Sequence, residues 1–297
     1  MFWKKKKQSN TKPIIYYRKP QPIPKWQPTK TFGNMEKKSE KKEEYQPIPE
    51  KGKTDWEREF LKTFNKLTVQ HRAWDVWRDL IIMYACALSN TVDKSNYDVR
   101  ETRYMQIIKK YSKEEQQIFP ELVAQITMAL EDNPEQDFLG KIFMELNLGN
   151  GTNGQFFTPY HVCELMAEIT IDNVEEEVKR KGYVSVNDPC CGAGATLIAG
   201  IHAIRKRLEK CDPPMNYQNH VLVIAQDIDE IVALMCYIQL SLLGVAGYIK
   251  VGNSIVDPMS VGEKTDKYWF TPMYFLGICQ VGNDIGTFKN LCEKKEK

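Results

Sequence analysis

The amino-acid sequence predicts an α/β protein: a doubly wound parallel sheet preceded by a helical domain. Three observations predict it. Aromatic and aliphatic side chains recur at three and four residues from Trp56 onward, the spacing of helix faces. Further along, three short apolar runs alternate with helical stretches. Each run closes on a polar residue, Asp188, Asp227 or Asn253. At 297 residues, 42% hydrophobic and 27% charged, the chain is long and apolar enough for one or two cores, which excludes disorder throughout and a small disulfide-stapled module.

Residues 1–53 read as a disordered basic tail. They hold seven of the fifteen prolines and 15 Lys+Arg against 5 Asp+Glu, so a +10 segment precedes a body of −8. Proline patterns such as Pro20-Gln-Pro22-Ile-Pro24 favour extended, solvated chain. Such an arm gains affinity for nucleic-acid phosphates by displacing counterions; the plainer alternative is a solubilising or partner-docking tail.

Residues 54–150 read as a helical domain. Trp56, Phe60, Phe64 and Leu67, then Trp74, Trp77, Leu80, Ile81, Tyr84 and Leu88, fall on helix faces and belong to a core rather than to a ligand platform. Further helices are expected over 102–110, after the capping box Ser112-x-x-Glu115, around 122–130, and over 138–146 with a stop at Gly149.

Residues 151–297 carry the α/β grammar. Thr158 is placed to cap a helix beginning at Pro159, with Val162, Leu165, Met166 and Ile169 on one face. A strand over 183–186 leads into Asp188-Pro-Cys-Cys-Gly-Ala-Gly194 and a helix over 195–208. A second strand over 221–225 ends at Asp227, and a third over 248–251 ends at Gly252-Asn253. The uncharged stretch 231–249 approaches the length of a membrane span, but the acidic Asp229-Glu230 opening and Gly244 favour a buried helix, a turn and a strand. No membrane association is expected. Eight cysteines without paired spacing point to a reduced, cytoplasmic chain with no metal site.

In an open parallel sheet the ligand binds at the carboxyl ends of the strands, so Asp188, Asp227 and Asn253 converge on one crevice. Gly192 and Gly194 permit a tight turn and a ligand's approach to backbone N–H groups. An acid ending the second strand suits two ribose hydroxyls. Leu197 stands where a dinucleotide fingerprint needs its third glycine, which disfavours a nicotinamide enzyme.

Gly154-Gln-Phe-Phe-Thr-Pro159 followed by Asn187-Asp-Pro-Cys-Cys-Gly-Ala-Gly194 resembles the adenine-specific DNA methyltransferases, in particular the modification subunits of type I restriction systems. The resemblance spans roughly Trp56 to Pro258 and implies a Rossmann-like fold with an S-adenosylmethionine site. It places Phe157, Thr158 and Pro159 at the methionine end, and Asp188, Cys190, Gly192 and Gly194 in the methionine and ribose loop. Asp227 would hold the ribose. Asn253 stands where the family usually has an Asp reaching the cofactor's adenine amino group, and its amide carbonyl is also an acceptor.

The family transfers methyl groups with a tetrad, Asn or Asp followed by Pro-Pro-Tyr or Phe, which grips the amino group of a base flipped out of the duplex. Here the expected position reads Thr271-Pro272-Met273-Tyr274, keeping one proline and the stacking ring. Asp212-Pro213-Pro214 precedes the second strand and lacks the aromatic residue, so it reads as a surface loop. About two dozen residues follow Tyr274, little for the last strands of a complete sheet, so a C-terminally truncated fold is expected. Two functions remain open. One is a working adenine methyltransferase using Thr271, Pro272 and Tyr274, with DNA as partner and a separate specificity subunit reading its sequence. The other is a degenerate relative that binds S-adenosylmethionine or DNA in a regulatory or assembly role.

Overall fold

A computed structural model describes residues 55–148, 157–260 and 265–276. The tail, the stop at Gly149 and the chain after Leu276 lie outside these residues. Six helices come first: α1 (Asp55–Thr68), α2 (Ala73–Val92), α3 (Tyr97–Ile108), α4 (Lys113–Gln116), α5 (Ile118–Asp132) and α6 (Phe138–Glu145). Their apolar faces follow the sequence spacing. Phe60, Phe64, Leu67 and Trp77 are wholly buried, and Trp77 meets both Phe rings edge-on at 6.2 Å. The capping box forms as expected, with Ser112 Oγ accepting from Glu115 N and the Glu115 carboxylate accepting from Ser112 N. α3 begins earlier than its apolar spacing suggests, because the turn held by the Asp93 side chain leads straight into it.

Then follow α7 (Tyr160–Thr170), α8 (Val174–Lys181), β1 (Val184–Asp188), α9 (Ala195–Leu208), β2 (Val221–Asp227), α10 (Glu230–Leu242), β3 (Ala246–Val251), β4 (Tyr268–Phe270) and α11 (Pro272–Phe275). The stretch after Asp229 is a buried helix, a turn at Gly244 and a strand, and no described helix is long and apolar enough to cross a membrane. α10 is apolar all round because it is covered all round, by the sheet on one side and α2 on the other. The Asp229 carboxylate caps it, accepting from Ile231 N and Val232 N.

The sheet order is β1-β2-β3-β4. β1 to β3 are parallel, with Val186 opposite Val223 and Val223 opposite Gly247. Right-handed crossovers in one direction put α9 and α10 on the same face of the sheet. One core runs without interruption from Phe60 in α1 through α9 and α10 to Trp269 in β4.

Two expectations are corrected here. The described strand order does not turn back to the far side of β1, as a doubly wound sheet requires; the fourth strand instead pairs antiparallel with β3, Phe270 opposite Tyr248. Arg100 of α3 holds it there. Its guanidinium donates to Tyr268 O at 2.7 Å and lies 4.0 Å from the centre of the Trp269 ring. The second correction concerns α7. Thr158 does not cap it: Pro159 is the N-cap, with no side-chain hydrogen bond. The helix buries Cys163 and Ala167 against the small residues Ala195, Ala199 and Ala203 of α9, while Val162, Leu165, Met166 and Ile169 face outward. Small side chains let two helices approach closely, so packing chose the narrow face over the more apolar one.

Candidate cofactor site

The three parallel strands deliver their ends to one place. Asp227 O accepts from Gly252 N at 2.8 Å, Gln226 O accepts from Cys191 N at 3.0 Å, and Cys190 Sγ lies 3.8 Å from Ser254 Oγ. The loops after β1, β2 and β3 thus touch one another. A cavity of ≈ 240 Å³ opens beside them. Of the residues anticipated for a cofactor, Phe157, Thr158, Asp188, Cys190, Gly192 and Asp227 line it.

The loop after β1 is built by its carboxylates. Asp188 Oδ1 accepts from Cys190 N at 3.0 Å and Oδ2 from Thr196 Oγ1 at 2.6 Å, which ties the strand end to the first turn of α9. Asp227 crosses from β2 to accept from Gly192 N at 2.9 Å, while its other oxygen accepts from Asp229 N at 3.0 Å. Burial pushes the Asp227 carboxyl up, and the two backbone donors partly offset that. Gly192 takes φ +56° with its open side toward the Phe157 ring. Gly194, at φ +99°, crosses so close to α10 that a Cβ would stand 2.9 Å from Cys236 Sγ.

Pro159, Gly194 and Asn253 do not line the cavity. Gly194 serves as the N-cap of α9, and Pro159 as that of α7. The Asn253 carbonyl is engaged by its own turn, accepting from Ile255 N at 2.9 Å and Val256 N at 3.2 Å. Behind it, Gln226 donates to Gly252 O and Asp257 O, and the wholly buried Lys250 donates to Asp257 Oδ1, so the turn is clamped from β2 and β3.

Thr271, Pro272 and Tyr274 are not brought to the crevice. Because β4 runs antiparallel, its end lies level with the start of β3. Thr271 is wholly buried, its hydroxyl donating to Val245 O at 2.7 Å and accepting from Gly247 N at 3.0 Å. Gly247 pairs with Val223, four residues before Asp227, so Thr271 stands about 13 Å down the strands from the cavity level. The Tyr274 ring packs 4.9 Å from that of Phe270. Asp212-Pro213-Pro214 is exposed in the loop between α9 and β2, as anticipated.

Other lining residues had no signal in the sequence beyond local structure. Thr196 and Val232 belong to the first turns of α9 and α10. Asp137 precedes an apolar run, which marks a helix cap and nothing more. In the fold it forms a wall of the cavity. Asp137, Asp188 and Asp227 put three carboxylates on the lining, and no Lys, Arg or His joins them among the described residues. Nor is any group of three or more His, Cys, Asp or Glu placed to hold a metal among those residues.

A strand-end crevice with a two-glycine loop, in this order along the chain, coincides with a match between residues 136–273 and the family model for N-6 DNA methylases. Over these residues the chain is similar to the N-6 DNA methylases. The match takes in just under half of the chain, begins one residue before Asp137 and ends two residues after Thr271. The matched stretch therefore includes α6 and the sheet, so Asp137 lies within it as Asp188 and Asp227 do. No curated protein matches the chain.

Proposed function

We propose that the matched stretch binds S-adenosylmethionine in the crevice and serves methyl transfer to the adenine amino nitrogen of DNA. The observation that carries this is the cavity's charge: three carboxylates and, among the described residues, no basic side chain favour a cationic ligand. The sulfonium nucleoside fits that donor set. At ≈ 240 Å³ the cavity lies just under the roughly 300 Å³ at which small-molecule sites begin. Asp227 and Gly192 would hold the ribose side, and Phe157, Thr158, Asp188 and Cys190 the methionine side. Exposed Ile228 and Ile255, on the loops after β2 and β3, offer apolar surface to a nucleoside base. When bound, the cofactor supplies an electrophilic methyl group. This chain's residues bind and orient it.

A second function, cofactor or DNA binding without transfer in a regulatory or assembly role, is favoured by the position of Thr271. Its hydroxyl is committed to the β3 backbone. Under the first function the group that grips the target adenine comes from outside the described residues, and a separate specificity subunit of a restriction-modification system reads the DNA. Calorimetric titration with S-adenosylmethionine tests the crevice: Asp227→Ala weakens binding about 10- to 100-fold, and absence of binding to the native chain defeats the proposal. Radiolabelled methyl incorporation into unmethylated duplex, with and without partner subunits, separates the two functions. Binding without incorporation selects the second.

The basic segment 1–53 is assigned to DNA phosphates on its charge alone. Deleting it flattens the dependence of DNA affinity on salt concentration. A slope unchanged by the deletion returns it to a solubilising role.

A further inference from the structure

We infer that Asp137 holds the α-ammonium group at the amino-acid end of the sulfonium nucleoside, reaching the crevice from the helical side of the molecule. The inference rests on the cofactor proposed above and adds a contact that the loop motifs do not contain. The three carboxylates of the cavity are not equivalent. Asp188 accepts one donor on each oxygen, Cys190 N and Thr196 Oγ1. Asp227 does the same with Asp229 N and Gly192 N. Asp137 takes both of its hydrogen bonds on Oδ1, from Gly140 N at 2.9 Å and Gln239 Nε2 at 2.8 Å. No basic side chain pairs with it among the described residues, and it is 8% exposed. Its second oxygen accepts no hydrogen bond among the described residues, and the residue lines the cavity.

The surroundings keep this carboxylate in place. A Cβ on Gly140 would fall 2.0 Å from Asp137 Oδ2, so the missing side chain makes room for the group above the first turn of α6. Gln239, wholly buried in α10, donates through Nε2 to Ala193 O at 2.9 Å as well as to Asp137, and its Oε1 accepts from Leu139 N. One amide thus links Asp137 to the loop between Gly192 and Gly194. Burial pushes the Asp137 carboxyl up, which penalises its charge while no cation is near. A ligand ammonium removes that penalty, and a ribose hydroxyl does so far less well.

Three probes distinguish these contacts: S-adenosylmethionine, S-adenosylhomocysteine, and methylthioadenosine, which keeps the nucleoside but lacks the amino-acid end. Asp137→Asn preserves the shape, the cap on Gly140 N and the acceptor for Gln239, and removes only the charge. Titrated against the full chain, it is expected to weaken the first two ligands about 10- to 100-fold and methylthioadenosine less than about twofold. Asp137→Ser, which keeps a capping oxygen, should give the same pattern. Unchanged methylthioadenosine affinity certifies the fold of both variants. Equal weakening of all three ligands, or none, overturns the assignment. If the native chain binds none of the three, the cofactor proposal itself fails; if it binds all and Asp137→Asn is indifferent, only this inference does.

Discussion

Replacing Thr271 by Val separates the sequence motif from the tertiary structure. In the motif, the hydroxyl grips a base and its loss abolishes methyl transfer while leaving the fold intact. In the structure, the hydroxyl donates to Val245 O at 2.7 Å and accepts from Gly247 N at 3.0 Å, with the residue wholly buried. Val is close to isosteric but places a methyl group where Gly247 N has its acceptor. A buried donor left unsatisfied costs about 1–3 kcal/mol. For a domain of this size each kcal/mol lowers Tm by about 2–4 °C, so a fall of roughly 2–12 °C is expected. Thermal unfolding followed by circular dichroism reads that change, and titration of the same sample should find S-adenosylmethionine affinity within about twofold of native. An unchanged Tm together with lost methyl incorporation would refute the placement of Thr271 and return its hydroxyl to the reaction. Thr271→Asn extends the comparison: as a restored tetrad it raises activity, whereas a larger side chain at a filled position lowers stability.

Gly194→Ala should destabilise the fold by about 1–3 kcal/mol, because φ +99° strains any other residue and the new Cβ would meet Cys236 Sγ at 2.9 Å. Adding Cys236→Ala should recover part of the loss in chemical denaturation, and strict additivity would remove the contact from the explanation. Gly192→Ala, whose Cβ meets Phe157 at an ordinary 3.5 Å, should cost only about 1 kcal/mol of backbone strain. Arg100→Met should cost about 3–5 kcal/mol, since Asp93, 2% exposed and 2.6 Å from the guanidinium, is left buried without its cation. Burial raises the Asp93 carboxyl, but the Ser95 and Asn96 donors and Arg100 outweigh it and hold the group below its ordinary value. The stabilisation it gives is therefore complete above the ordinary carboxyl range and lost as pH falls through the folded value. Tm measured from pH 7 down to about pH 3 should drop less steeply for Arg100→Met than for the native chain, and parallel curves would contradict this.

Local physics made much of this protein legible in one dimension. The helical period of Phe60, Phe64 and Leu67, the Ser112 capping box, the Asp229 cap and the three apolar runs depend on neighbours within a few residues, and all reappear in the fold. The meeting of the loops after Asp188, Asp227 and Asn253 follows from parallel pairing, which puts all three strand ends on one side. Tertiary structure alone decided three other matters. α7 presents its small residues to α9, because close helix approach outweighs the larger apolar face. The fourth strand turns antiparallel beside β3, held by Arg100 from 168 residues away, and so carries Thr271 to the opposite end of the sheet. Asp137 reads in sequence as a helix cap and becomes a wall of the cavity because α10 brings Gln239 beside it from 102 residues further along the chain. Period and capping are written into a few adjacent side chains, whereas the direction of an edge strand and the neighbours of a buried carboxylate are set by contacts between segments that the chain order does not pair.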